Sequence, residues 1–458
     1  MRLSLAQVGT AIAKFMGQDV ETVAHETKFV QRESEMNGQG FLQTIVFGCI
    51  ENVQASLNDF AQVSADLGIQ ITAQGLDQRI TDKAVAFLKQ MFSRATAQLK
   101  NQIPLPLEIL EQFNGVYLTD SSVIALPDNM AEDYPGCGGN GPQASLKVQL
   151  VFEFLLGNLA QIALRAGREP DQSYRDYIKV LKKGSLSITD LGYFVLDGIK
   201  AIMYEREAYF LSRFQIQTSV LTPTSEPLHL LSLVQGCPGE AFETNVLMGK
   251  QAKHRLPCRL IVLPVPQEVA DQRRHKAKEK ARRQKTTVRR ETLALMSWTI
   301  FVTNVPTDML SIEQIAALYP VRWQIELVFK LCKSHCGLRH VAGFRRERIL
   351  VELYAKLIGV MLTHFLIAPM RMPQGTWANR EISPVKVRKI FQRFARRLNQ
   401  CLGHETQFQA VLSEMLMHIQ RFGYKEKRKT EPNVCHALAL VSALCRVNVD
   451  LAHRASLA

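Results

Sequence analysis

The chain has 458 residues, 47% of them hydrophobic, and carries 56 Lys and Arg against 42 Asp and Glu for a formal net charge of +14. This is long enough for two to four structural units with substantial cores and too apolar for a disordered chain. The charge favours a polyanionic partner, nucleic acid ahead of an anionic membrane surface. Nine cysteines without a CxxC pair exclude a disulfide framework and suit a reducing compartment. Met1 to Met16 reads as a short amphipathic helix with Arg2 and Lys14 rather than a signal sequence, so the expected location is cytoplasmic.

Residues 1–105 read as helical. Within them Asp59 to Leu67, a turn over Gly68 to Ile71, and Thr72 to Arg79 form a helix pair. That pair matches a DNA-binding helix-turn-helix and an ordinary helical hairpin alike. Thr81-Asp82 is the expected start of the next helix. Short strands follow from Pro104: Gly115 to Asp120, Val123 to Pro127 and, after the Pro135 to Gly139 turn, Ser145 to Phe154. A helix-rich piece at 173–183, an alternating strand at Ser185 to Asp190 and a helix from Tyr193 to Glu207 complete the segment. Three strands, a crossover helix and a fourth strand match the opening of a ribonuclease-H-like fold.

Residues 218–302 read as a β-rich insertion, with strands expected at Leu228 to Val234, Arg259 to Pro264 and Leu293 to Val302. Leu353 to Met370 is apolar but interrupted by Lys356 and His364, which fits a buried core helix better than a membrane span. The boundaries expected are 1–105, 106–217, 218–302, 303–370 and 371–458, the last helical and basic. The basic run from Arg273 to Arg290 holds ten Lys or Arg against Glu279. Smaller basic groups lie at Arg345, Arg346 and Arg348, from Lys386 to Arg397, and from Lys425 to Lys429. Each alone fits a solvated face, and together they suit a phosphate-binding surface.

In the stretch from Tyr319 to Lys333, polar residues recur at spacings of three and four. As a uniform helix it places Arg322, Glu326, Lys330 and Lys333 within roughly 80° of Tyr319, opposite Val321, Ile325, Val328 and Leu331. A carboxylate flanked by cations is thereby presented on one face. The spacing Tyr, two residues, Arg, three residues, Glu, six residues, Lys resembles the signature of DDE transposases of the insertion sequence 4 family. The resemblance covers roughly residues 110 to 370. It implies an α/β, ribonuclease-H-like mixed sheet interrupted by a β-strand insertion and flanked by helical N- and C-terminal regions.

The same resemblance implies Asp120, Asp190 and Glu326 as catalytic carboxylates that hold two Mg²⁺ (or Mn²⁺) ions. Displacement at phosphorus is helped by two divalent metals, and hard cations take carboxylate oxygens. Asp120 lies in Thr-Asp-Ser-Ser-Val-Ile-Ala-Leu-Pro-Asp, and Asp190 opens Asp-Leu-Gly-Tyr ahead of Tyr209 to Arg213. Asp128, Asp133 and Asp197 are rival acids without the strand-end position or the family context. Arg322, Lys330, Lys333 and Arg213 are implied DNA contacts. Tyr319 is one too, or else packs beside Pro320. Trp298 is either a core residue of its strand or, by the resemblance, a surface for a flipped base. Cys332, His335 and Cys336 read as structural, without a second cluster for zinc.

The expected function is metal-dependent cleavage and strand transfer of insertion-sequence ends. The partners are double-stranded DNA, as terminal inverted repeats and target, and a second copy of the chain on paired ends, with no membrane. Two alternatives stay open: a catalytically silent DNA-binding relative, and a ribonuclease-H-like nuclease.

Overall fold

The computed structural model describes residues 5–139, 141–236, 239–252, 255–341, 343–371, 381–426 and 438. Along the chain run α1 (Leu5–Gly17), α2 (Val20–Glu26), α3 (Gly38–Glu51), α4 (Leu57–Asp66), α5 (Ala73–Arg79), α6 (Asp82–Gln98), β1 (Val116–Leu126), β2 (Ala144–Glu153), β3 (Asn158–Ala166), α7 (Asp176–Val180), β4 (Leu186–Thr189), α8 (Leu196–Lys200) and β5 (Tyr209–Arg213). Then come β6 (Val220–Leu221), α9 (Leu230–Gly236), β7 (Phe242–Met248), β8 (Leu256–Pro264), α10 (Gln267–Arg283), α11 (Arg290–Leu295), β9 (Trp298–Thr303), α12 (Ile312–Leu318), α13 (Trp323–Lys330), α14 (Arg346–Ile367), α15 (Pro384–Cys401) and α16 (Glu405–Phe422).

The strands form a nine-stranded mixed sheet in the order β3-β2-β1-β4-β5-β9-β8-β7-β6, with helical segments before and after it in sequence. The α/β class expected from the sequence is therefore the one observed. β1, β4 and β5 are mutually parallel neighbours, which requires crossover connections, whereas β2 and β3 form an antiparallel hairpin. The chain divides into two compact units.

The first unit comprises the described residues of Met1–Leu105, Asp120–Glu169 and Trp323–Asn433. At its centre α14 buries every residue from Ile349 to Ile367. The stretch Arg346–Met370 is long and apolar enough to cross a membrane, yet its most apolar 18-residue window is entirely buried inside the protein. Its charges are satisfied there: Glu352 accepts from Arg348 Nε at 3.0 Å and faces Lys356 Nζ at 3.6 Å. α3 packs on α14 and α4; an added Cβ at Gly48 would stand 2.5 Å from Phe60 Cδ1, so only glycine admits that approach.

α4 and α5 form the expected helix pair. A capping box between Ser56 and Asp59 starts α4, Gly68 turns the chain at φ +78°, and Thr72 Oγ1 caps α5 by accepting from Gly75 N. α5 is tied down by Arg79, which donates to the Met36 carbonyl, and by Arg345, which pairs with Asp77 at 2.6 Å. Thr81 stands at the start of α6 as expected, but its side chain makes no capping bond. At the other end of the chain, Arg388 of α15 donates to the Cys49 and Ile50 carbonyls of α3.

Two strand expectations change in this region. The pieces Gly115 to Asp120 and Val123 to Pro127 are one strand, β1, so Asp120 lies within a strand rather than at its end. Asp120 and the two serines after it resemble a turn in sequence, but Ser121 N donates to Asp120 Oδ1 at 2.8 Å while the backbone stays extended. β3 completes a hairpin turned by Gly157 at φ +73°, a strand the sequence reading had not identified.

The second unit comprises the described residues of Pro106–Thr119, Pro170–Arg322 and Val434–Ala458. β6, β7 and β8 continue antiparallel from β9, which also pairs with β5. Leu228 to Val234, read as β-prone, contains the start of helix α9, and the expected strand Leu293 to Val302 divides into the end of α11 and the body of β9. Aliphatic runs this short carry no period that separates the two states. The expected helix Tyr193 to Glu207 is a 3₁₀ turn, α8 and a π turn. Buried Arg259 on β8 donates from Nε to Glu243 at 2.7 Å and from Nη1 to the Val305 and Leu310 carbonyls at 3.2 and 2.7 Å. It thereby fixes the loop that leads to α12.

Candidate active site

Both aspartates are positioned by the β1/β4 ladder. Thr119 and Thr189 form its last matched pair, and Asp120 and Asp190 are the next residues in each chain. Asp190 caps the following 3₁₀ turn, with Oδ1 accepting from Leu191 N at 2.8 Å. The rival Asp197 lies in the first turn of α8, and Asp133 is paired with Arg346 at 2.7 Å.

Around Asp190 the second unit gathers several of the expected residues. Tyr319 is buried, 4.8 Å from the Phe301 ring, and the Arg213 guanidinium stands 5.7 Å over its ring. Burial raises the Tyr319 phenol above its usual value; Arg213 and Arg322 oppose that rise and Asp190 adds to it. The phenol oxygen is buried with no partner in hydrogen-bonding geometry among the described residues. Packing at this turn is thus established for Tyr319, and its hydroxyl interacts with Arg322 outside good hydrogen-bonding geometry.

Trp298 opens β9 half-buried, edge-on to Phe242 at 6.5 Å. It is not an enclosed core residue. Arg273 on α10, which the sequence reading counted only as part of the basic run, donates to the Trp298 carbonyl at 3.1 Å and to Thr299 Oγ1 at 3.0 Å. Its guanidinium value is lowered by burial and by the nearby charge of Arg213. Arg273 therefore positions the strand that presents Trp298. The only advance signal was its place at the head of a charge run, which says nothing about a fastening role.

The first unit holds Asp120, Glu326, Lys330 and Lys333. Glu326 is half-buried on α13, and Lys330 is exposed at its end. Lys333 donates from Nζ to the Val123 carbonyl at 2.7 Å, which ties the segment after α13 to the strand that carries Asp120. Its ammonium value is lowered, by burial first and then by Arg339. Trp323, 58% exposed beside Arg322, is an aromatic surface that the sequence reading passed over.

Tyr319 to Lys333 is not one uniform α-helix. A capping box of Ser311 and Gln314 starts the helical run at α12, Tyr319–Arg322 is 3₁₀, Trp323–Lys330 is α and Leu331–His335 is π. Pro320 lacks an N–H and the π turn adds a residue, so the spacing of 100° per residue holds only through α13. Cys332 and Cys336 are buried, with their thiols raised by burial, as structural residues should be.

The basic groups divide sharply. Arg345, Arg346 and Arg348 are engaged with Asp77, with Asp82 and Asp133, and with Glu352. Arg396 and Arg397 are engaged with Asp66 and Glu414. These arginines therefore contribute ion pairs within the first unit. In α10, by contrast, the ion pairs among the described residues involve only Arg274 with Asp271 and His275 with Glu279.

Among the described residues no three His, Cys, Asp or Glu side chains stand together closely enough to hold a metal ion. The donor chemistry of Asp120, Asp190 and Glu326 fits a hard divalent cation, since each offers carboxylate oxygen and none is fully buried.

The Transposase DDE domain family matches residues 111–362, more than half of the chain. The chain is 26% identical to the transposase for insertion sequence element IS231F of Bacillus thuringiensis subsp. israelensis, over 92% of each protein. It is likewise 26% identical to the transposase for element IS1151 of Clostridium perfringens, over 92% of this chain and 93% of that one. A solved piggyBac transposase synaptic complex with hairpin DNA overlaps 93% of this chain and 87% of its own, at 9% identity and a TM-score of 0.46, too loose a likeness to carry weight. From the span of the family match, the chain belongs to the Transposase DDE domain family.

Proposed function

We propose that this protein is a DNA transposase that cleaves the ends of its own insertion sequence and joins them to target DNA. The observation that supports this reading is the family match over residues 111–362, which takes in Asp120, Asp190 and Glu326. Asp120, Asp190 and Glu326 would supply the carboxylate oxygens for Mg²⁺ or Mn²⁺, and such ions would activate the attacking oxygen and stabilise the leaving one.

The remaining residues handle DNA. Arg213, Arg322, Lys330 and Lys333 hold phosphates near the cleavage point, with arginine supplying a planar fork and lysine a point charge. Tyr319 donates its hydroxyl to the DNA backbone. Trp298, half-buried and steadied by Arg273, offers a face for an extruded base. The DNA partner is the double-stranded terminal repeats and target, bound by two copies of the chain on paired ends in the bacterial cytoplasm. Boundaries at 105, 217, 302 and 370 separate the N-terminal region, the two catalytic parts with the insertion between them, and the C-terminal region.

Purified protein with Mg²⁺ or Mn²⁺ is expected to nick DNA carrying the element's ends, and Glu326→Gln to abolish nicking while binding persists. If the variant cuts as well as the parent, Glu326 is not catalytic. If neither cuts and both bind, the silent DNA-binding alternative holds.

A further inference from the structure

A groove of about 1050 Å³ in the second unit is lined by α9, the strand β6, and the segment from α10 to α11. Leu231 and Leu295 contribute apolar lining. Lys250, Lys280 and Arg289 bring three positive charges to it against the single acid Glu291. All three cations are exposed, and no ion pair among the described residues occupies them.

α10 explains why this wall is so basic. Ala270 and Ala281 are buried, and Ala277 between them is half-buried, so one side of the helix is packed. Arg273 and Arg274 flank that side and are consumed in fastening it: Arg273 to Trp298 and Thr299, Arg274 to the Leu293 carbonyl at 3.1 Å and Ser297 Oγ at 2.5 Å. At about 100° per residue, Lys276, Lys280 and Arg283 share one exposed flank of the helix. They rise along the axis by roughly 6 and then 4.5 Å, a ladder of charge continuous with the groove through Lys280. Three like charges on one flank of an exposed helix repel each other, and among the described residues no side-chain hydrogen bond or ion pair engages them.

We propose that this groove binds the phosphate backbone of DNA, with Lys250, Lys280 and Arg289 as the contacting cations and Lys276 and Arg283 extending the track along α10. Deoxyribose faces are apolar enough to rest on the leucine side while the phosphates meet the rim. Choosing DNA over another polyanion rests on the transposase reading above. Because Arg273 joins α10 to the Trp298 strand, the track and the base-holding face belong to one rigid piece of the unit.

The test is fluorescence anisotropy with a labelled duplex of the element's end, across a salt series. Lys250→Ala, Lys280→Ala and Arg289→Ala combined are expected to weaken binding at least tenfold and to lower the slope of log affinity against log salt by about 2 to 3. Lys250→Arg, Lys280→Arg and Arg289→Lys combined should keep both affinity and slope, since charge is retained. Thermal midpoints of both variants matching the parent confirm that folding is intact. An alanine variant with unchanged affinity and slope overturns the groove, and so does a charge-retaining variant that binds as weakly as the alanine one. In either case, a parent that nicks DNA while Glu326→Gln does not leaves the transposase reading standing. A parent that neither binds nor cuts DNA overturns that reading and this proposal together.

Discussion

Lys333 donates from Nζ to the carbonyl of Val123 at 2.7 Å, joining the π turn after α13 to β1 three residues beyond Asp120. An ammonium has three donors, so a bond to one neutral carbonyl does not exhaust it. The side chain thus links the Glu326 segment to the Asp120 strand within one unit, and still carries a charge that suits a phosphate. Lys333→Ala is expected to lower cleavage of element ends and to reduce the salt slope of binding by about 1. Unchanged binding and cleavage would return Lys333 to the role of a solvated surface charge.

Tyr319 separates packing from chemistry. Its ring packs on Phe301, while its hydroxyl is buried with no partner in hydrogen-bonding geometry among the described residues. Tyr319→Phe keeps the ring and removes only a hydroxyl with poor hydrogen-bonding geometry, so unfolding free energy should change by no more than about 1 kcal/mol. End cleavage should nonetheless fall severalfold. Equal cleavage by both proteins would leave Tyr319 a packing residue only.

His364 makes the first unit acid-sensitive. Enclosed on α14, edge-on to Phe152 at 6.2 Å, its imidazole is pushed down to about 4 from 6.5 by burial and then by Arg371. Between those values the unfolded chain binds the proton and the folded chain does not, so stability rises with pH across the window. It is fully present above about 6.5 and is lost as pH falls toward 4, a difference on the order of 3 kcal/mol for this group. His364→Leu should flatten the curve between pH 6.5 and 4 relative to the parent in urea titrations. Parallel curves would show that His364 takes up its proton without unfolding.

Glu352 is the acid between Arg348 and Lys356, only 4% exposed. Removing it leaves two cations with no counter-charge on that turn of α14. Glu352→Ala should cost about 3–5 kcal/mol in denaturant unfolding. A loss under about 1 kcal/mol would mean that water already screens the site.

Several features were legible in the chain itself because they depend on neighbours a few residues away. Ser56 and Asp59 specify a capping box, Gly68 a positive-φ turn, and the alternation from Val116 a strand. The aspartate placements were half-legible. Asp190 follows the end of its strand, whereas Asp120 is internal to β1, which runs on unbroken to Leu126.

Residue order alone determined which groups this protein has to work with: the carboxylates, the cation spacing of α13 and the charge density of α10. Tertiary structure alone decided which charges are spent. Arg345, Arg346 and Arg348 look as basic in sequence as Lys276, Lys280 and Arg283, yet the first three are paired with acids and, among the described residues, the others are not. Arg345 and Asp77 lie 268 residues apart. Charge neutralisation depends on which distant carboxylate the packed helices bring within reach, and no local spacing encodes that distance.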